Sequence, residues 1–92
     1  NNSYGVVKDL SGGGVRFLSN ENMAENTIIK SNIGLEEEKL TLTGEIINKS
    51  ILSNSDYKYQ YRAVFKGLKP EDQDKIVQFI FAEQKRLIEK LN

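Results

Sequence analysis

Tyr57-Lys58-Tyr59-Gln60-Tyr61-Arg62-Ala63-Val64-Phe65-Lys66 decides the fold. Tyr57, Tyr59, Tyr61, Ala63 and Phe65 alternate with Lys58, Gln60, Arg62 and Lys66. Successive side chains of a strand point to opposite faces, so this stretch predicts a strand with one buried and one solvated face. Strict alternation also makes the tyrosines core residues rather than an exposed stacking platform. Outward towards the N-terminus, Asn48 to Asp56 reads as a turn, preceded by a strand. Leu40, Leu42 and Ile46 line one of its faces, and Thr41, Thr43 and Glu45 the other. Thr27-Ile28-Ile29-Lys30 predicts another strand, with a looser segment around Gly34, and Ser19 to Asn26 is an Asn- and Glu-rich loop. Val15-Arg16-Phe17-Leu18 is a strand, and Ser11-Gly12-Gly13-Gly14 is the turn before it, where glycine accommodates the positive φ of a tight hairpin. In the first strand Tyr4, Val6 and Leu10 alternate with Gly5, Val7 and Asp9, interrupted by Lys8 on the apolar side.

The C-terminal end changes period. Pro70 suits the first helical position, and Glu71 and Asp72 sit where the helix dipole favours anions. At 100° per residue Ile76, Val77, Ile80, Phe81, Leu87, Ile88 and Leu91 fall in one arc of about 140°, which predicts a helix over 70–91. Its packing is expected through Ile76, Ile80, Leu87 and Leu91, while Phe79 lies off the arc as a possible partner contact.

Length and composition bound the function. With 92 residues the chain fits one domain, 1–92, with strands within 4–67. It has no Cys and no His, which removes disulfides, thiolate and imidazole metal ligands, and His-dependent nucleophilic catalysis. Thirteen basic and thirteen acidic groups give zero net charge, against the basic surface that nonspecific nucleic-acid binding requires. The first 56 residues carry five basic and eight acidic groups, the last 36 eight basic and five acidic, a modest asymmetry that a solvated surface explains. No apolar run approaches the ~18 residues of a membrane span.

No catalytic template is met. Ser11 lacks the glycine two positions before it that a nucleophile elbow needs, and Phe17 stands where a dinucleotide fingerprint has its third glycine. Asp72-Gln73-Asp74 lacks the glycine turn and distal glutamate of a calcium loop, and Glu36-Glu37-Glu38 reads as a solvated charge run. The chain is therefore expected to be a binding domain, not an enzyme, with neither metal nor cofactor.

The binding candidate is the segment Asp9-Leu10-Ser11-Gly12-Gly13-Gly14. Asp9 and Ser11 are two apart, so on a strand both project from one face, and the glycines let backbone approach a flat ligand. A carboxylate can accept the N1–H and N2–H2 donors of guanine, with a hydroxyl adding a third contact. The plainer reading is a hairpin in which Asp9 and Ser11 satisfy the turn's own amides, and spacing alone favours it.

The same six residues match the Asp/Asn-x-Ser-x-x-Gly motif of PilZ domains, and the flanks Val6-Val7-Lys8 and Val15-Arg16-Phe17 resemble the strands around that motif. Tyr61-Arg62-Ala63-Val64-Phe65 and the terminal segment with Phe79-Ile80-Phe81 and Gln84 resemble the end of such a domain, so the resemblance spans nearly the whole chain. It implies a mainly β fold, a small antiparallel barrel of about five strands here with one C-terminal α-helix. It further implies a bacterial, cytoplasmic effector of cyclic di-GMP in motility or exopolysaccharide control. In that reading Asp9 and Ser11 contact guanine, Gly14 permits close approach, and Gly12, Gly13 and Arg16 complete the site. Output would pass to a neighbouring domain or protein partner. The family's second motif, Arg-x-x-x-Arg, precedes the first barrel strand, and Arg16, Arg62 and Arg86 do not supply it. With Asn1 as first residue, the expectation is a truncated or excised domain, whose opening strand would leave a free edge prone to self-association. One alternative is a degenerate PilZ-like module that binds protein and no nucleotide. Another is a single-stranded nucleic-acid barrel, which requires Tyr57, Tyr59 and Tyr61 exposed.

Overall fold

The structure, a computed structural model, describes residues 5–35 and 38–91, and their side chains apart from 31, 33, 35, 38 and 83–91. Five strands, β1 (Gly5–Leu10), β2 (Gly14–Ser19), β3 (Ile28–Leu35), β4 (Glu38–Ile51) and β5 (Tyr59–Lys66), precede one helix, α1 (Pro70–Leu91). Every pairing is antiparallel, and the order across the sheet is β1-β2-β5-β4-β3. The mainly β architecture with a C-terminal helix is the one the sequence predicts. Among the described residues the sheet is not closed by a β1–β3 pairing, so those two strands are its edges.

The predicted alternation of β5 holds: Tyr61 and Ala63 are buried while Arg62 between them is exposed. In β4, Leu40, Leu42, Gly44 and Ile46 turn inward as the period of two requires. A bulge between Ile46 and Asn48 shifts the register against β5, and Ile47 and Asn48 both end up exposed. Val15, Ile46, Tyr61 and Ala63 form one buried group and Leu40, Leu42 and Ile76 another. Leu10 and Phe65 pack against both, so the core is continuous from the sheet to the helix. Tyr61 is fully buried, its hydroxyl donating to the Glu21 carbonyl at 2.5 Å and accepting from the Met23 amide at 2.8 Å. Those bonds tie the β2–β3 connection across the sheet, and they remove Tyr61 from any exposed stacking platform.

Four expectations need correction. Tyr57 precedes β5 rather than belonging to it. Leu52 N–H donates to the Lys58 carbonyl at 2.8 Å and Lys58 N–H to Asn20 Oδ1 at 2.8 Å, so the turn closes only at residue 58. At the other end β4 runs to Ile51, past the predicted turn start at Asn48. Of the apolar set in the first strand, Tyr4 lies outside the described residues, Val6 is exposed and only Leu10 packs inward. A bulge between Val7 and Asp9 resets the register across Lys8, which explains the lysine on the apolar side. The helix covers its predicted span, but its docked face is narrower than the apolar arc. Ile76 is fully buried, with Phe79 and Ile80 beside it, whereas Val77 is 45% and Phe81 72% exposed. The set i, i+3, i+4 centred on Ile76 meets the sheet, so Phe79 is a core contact and not a free partner surface. Leu87 and Leu91 lie outside the described side chains.

Helix α1 starts as predicted. The Lys69 carbonyl accepts from the amides of Asp72 and Gln73, each at 3.0 Å, and Pro70 occupies the first turn, where its missing N–H costs nothing. No helix among the described residues is long and apolar enough to cross a membrane.

Candidate functional site

The β1–β2 hairpin is closed by a turn that Ser11 organises. Ser11 N–H donates to the Gly14 carbonyl at 2.9 Å. Ser11 Oγ accepts from the amides of Gly13 at 3.3 Å and Gly14 at 3.1 Å, and donates to the Gly14 carbonyl at 3.2 Å. A hydroxyl offers one donor and two acceptor positions, so the turn engages all of them. Ser11 thus does what the plainer sequence reading assigned to it. Strand β1 ends at Leu10, so the strand alternation that paired Ser11 with Asp9 does not extend to Ser11.

The glycines of this turn serve a purpose other than positive φ. None of Gly12, Gly13 and Gly14 has a positive φ, which among the glycines occurs only at Gly67. Gly14 is constrained by packing, since a Cβ there would collide with the Ala63 carbonyl oxygen on β5. Gly13 fixes the turn to the same strand, its carbonyl accepting from Phe65 N–H at 2.9 Å, while among the described residues nothing lies within 4 Å of where its Cβ would be. Gly12 faces the helix: Gln73 Nε2 donates to its carbonyl at 3.2 Å, and a Cβ on it would stand 3.2 Å from Val77 Cγ2. The motif turn is therefore backed by α1 at Gly12 and, among the described residues, open at Gly13.

Asp9 and Arg16 are cross-strand partners, and the Arg16 guanidinium donates to Asp9 Oδ2. Both side chains are exposed, Asp9 at 63% and Arg16 at 46%. A carboxylate has about four lone-pair directions, so Asp9 keeps acceptor capacity after this contact, most of it on Oδ1. The pair thus presents a carboxylate held in one orientation and a planar cation next to it. Such an arrangement can accept hydrogen bonds from a flat donor edge and attract a nearby anion.

The fold brings Asp9, Ser11, Gly12, Gly13, Gly14 and Arg16 together at one end of the hairpin, as expected of consecutive strands. Sequence reasoning missed two neighbours. Gln73 reaches the turn from 61 positions away. Arg62 stands directly opposite Arg16 in the β2–β5 register. Local periodicity shows that Arg62 is outward-facing, but the strand it faces follows only from the non-sequential order β2-β5. Glu36 and Glu37 lie outside the described residues, and among the described residues no three acidic side chains cluster as a metal site.

No curated protein and no solved structure matches the chain. A family model does: the PilZ domain, over residues 1–82, which takes in the motif turn, all five strands and the docked part of α1. On that match the chain belongs to the PilZ domain family.

Proposed function

We propose that this domain senses cyclic di-GMP in the bacterial cytoplasm, with Asp9 reading guanine and no chemistry performed on the ligand. The family is one of cyclic di-GMP receptors, whose members bind and regulate. The observation that carries the reading is Asp9 itself. It is an exposed carboxylate, oriented by Arg16 and retaining free acceptor positions. Guanine presents two adjacent donors, N1–H and N2–H2, to such a carboxylate. Ser11 contributes by holding the turn, Gly14 by letting β2 and β5 close beneath it, and Gly12 by seating the turn on α1. Signal output then runs to a neighbouring domain or protein partner, through the helix that touches the motif turn.

Titration calorimetry with cyclic di-GMP tests this on the wild-type protein and on its Asp9→Ala variant. A charge-assisted hydrogen bond contributes ~1.5–3 kcal/mol, so losing one or two predicts a roughly ten- to several-hundred-fold weaker complex. Unchanged affinity in Asp9→Ala removes Asp9 from the site. No binding by the wild-type protein favours the degenerate interaction module instead.

A further inference from the structure

We propose that Arg16 and Arg62 together form a phosphate cradle on the outer face of the sheet, which takes the phosphodiester of the nucleotide whose base Asp9 reads. The proposal rests on the cyclic di-GMP reading above and adds to it a second subsite with its own residues. In the register of the sheet Asp9 lies opposite Arg16, Arg16 opposite Arg62, and Arg62 opposite Asn48. All four are exposed, so they form one row across β1, β2, β5 and β4 on the solvent side. Residues directly opposed on neighbouring strands have Cβ atoms about 4.5–5.5 Å apart, and like charges at that separation are destabilising. The chain has only three arginines, and two of them occupy this unfavourable pairing.

The carboxylate in the row relieves one of the two cations. Arg16 turns towards β1 to meet Asp9, which leaves Arg62 with no ion pair or hydrogen bond among the described residues. Its other lateral neighbour, Asn48, is neutral. Stability does not account for an unneutralised arginine directly opposite another arginine, whereas an anion bridging the two does. Guanidinium groups suit that anion well, because their planar fork of donors matches the oxygens of a phosphate. The order of the row also fits one ligand: the base-reading carboxylate at one end, the two cations next to it.

The decisive variant is Arg62→Gln. Titration with cyclic di-GMP should show about tenfold weaker binding and a shallower dependence on salt. The melting temperature of the free protein should stay level or rise, since the substitution removes like-charge opposition. Arg62→Lys should recover part of the affinity. Cyclic di-AMP separates the two subsites, because it has the same phosphodiester ring with a different base. Asp9→Ala should narrow the preference for cyclic di-GMP over cyclic di-AMP, and Arg62→Gln should leave that ratio unchanged. Full affinity in Arg62→Gln, or a loss matched by a lower melting temperature, overturns the cradle. A wild-type protein that does not bind cyclic di-GMP overturns the guanine reading, and the cradle with it. Wild-type binding that Arg62→Gln leaves intact overturns the cradle alone.

Discussion

The β1–β2 and β4–β5 hairpins are both antiparallel and both bulged, yet they bury very different amounts of themselves. Strand β4 sends Leu40, Leu42 and Ile46 into the core, and β5 adds Tyr61 and Ala63. Strand β1 leaves Gly5 to Asp9 exposed and contributes Leu10 alone. The first hairpin is held to the rest through β2, by Val15 and the close approach of Gly14 to Ala63. This division separates two tasks. Burial in β4, β5 and α1 supplies the stability, which leaves the outer hairpin free to present polar groups that would be costly inside.

The contrast breaks most visibly at the helix. Ile76→Ala removes a fully buried side chain clustered with Leu40 and Leu42, and such truncations cost ~2–5 kcal/mol. Ile80→Ala should cost less, because Ile80 is only half-buried. Urea unfolding of the two variants checks the order. Equal losses would show that the helix face is centred elsewhere.

Within the motif turn the same logic separates neighbours. Gly14→Ala drives a methyl group into the Ala63 carbonyl, so β2 must shift from β5, at ~1–3 kcal/mol. Gly13→Ala meets open space among the described residues and should stay within about 0.5 kcal/mol of the wild type. Thermal melts of the pair decide whether packing or chain flexibility selects these glycines.

These two glycines also mark what the sequence makes legible. Alternation at Tyr59 to Phe65, the Leu40, Leu42, Ile46 stripe and the Pro70 helix start are local signals, and each corresponds to an element where expected. The motif turn was likewise legible as a turn. What lies in pairing between distant strands was not. The pressure on Gly14 comes from Ala63, the clasp on Gly12 from Gln73, and the opposition of Arg16 and Arg62 from a register between strands more than forty residues apart. The exposed Val77 and Phe81 were misplaced for a related reason. An apolar arc states which side chains favour burial, while the width of the sheet beneath decides how many achieve it.

Ser11→Ala sharpens the comparison on a smaller scale. It frees the amides of Gly13 and Gly14, but both are at the exposed end of the hairpin, where water replaces the lost acceptor. The net cost should be ~0.5–1.5 kcal/mol. Amide exchange at Gly13 and Gly14 should quicken while exchange at Tyr61 and Ala63 stays slow. Acceleration at all four positions would mean that the turn nucleates the whole sheet rather than one hairpin.

A small expected effect on stability belongs to the residue with the largest expected effect on binding. Asp9 forms an ion pair with Arg16, but both groups are more than two-fifths exposed, and pairs of this kind contribute only ~0–1 kcal/mol. Asp9→Ala deletes that attraction and also leaves Arg16 facing Arg62 without a neighbouring carboxylate, so both changes act in the same direction. The two remain weak because solvent and salt screen them. Unfolding in low salt should therefore show a loss below about 1 kcal/mol, and in ~1 M salt, where the Debye length is ~3 Å, the loss should all but disappear. A large, salt-independent loss would mean that the carboxylate is built into the hairpin's structure. The weaker ligand binding of Asp9→Ala would then reflect a damaged hairpin, and the division between a stabilising core and a binding edge would not hold.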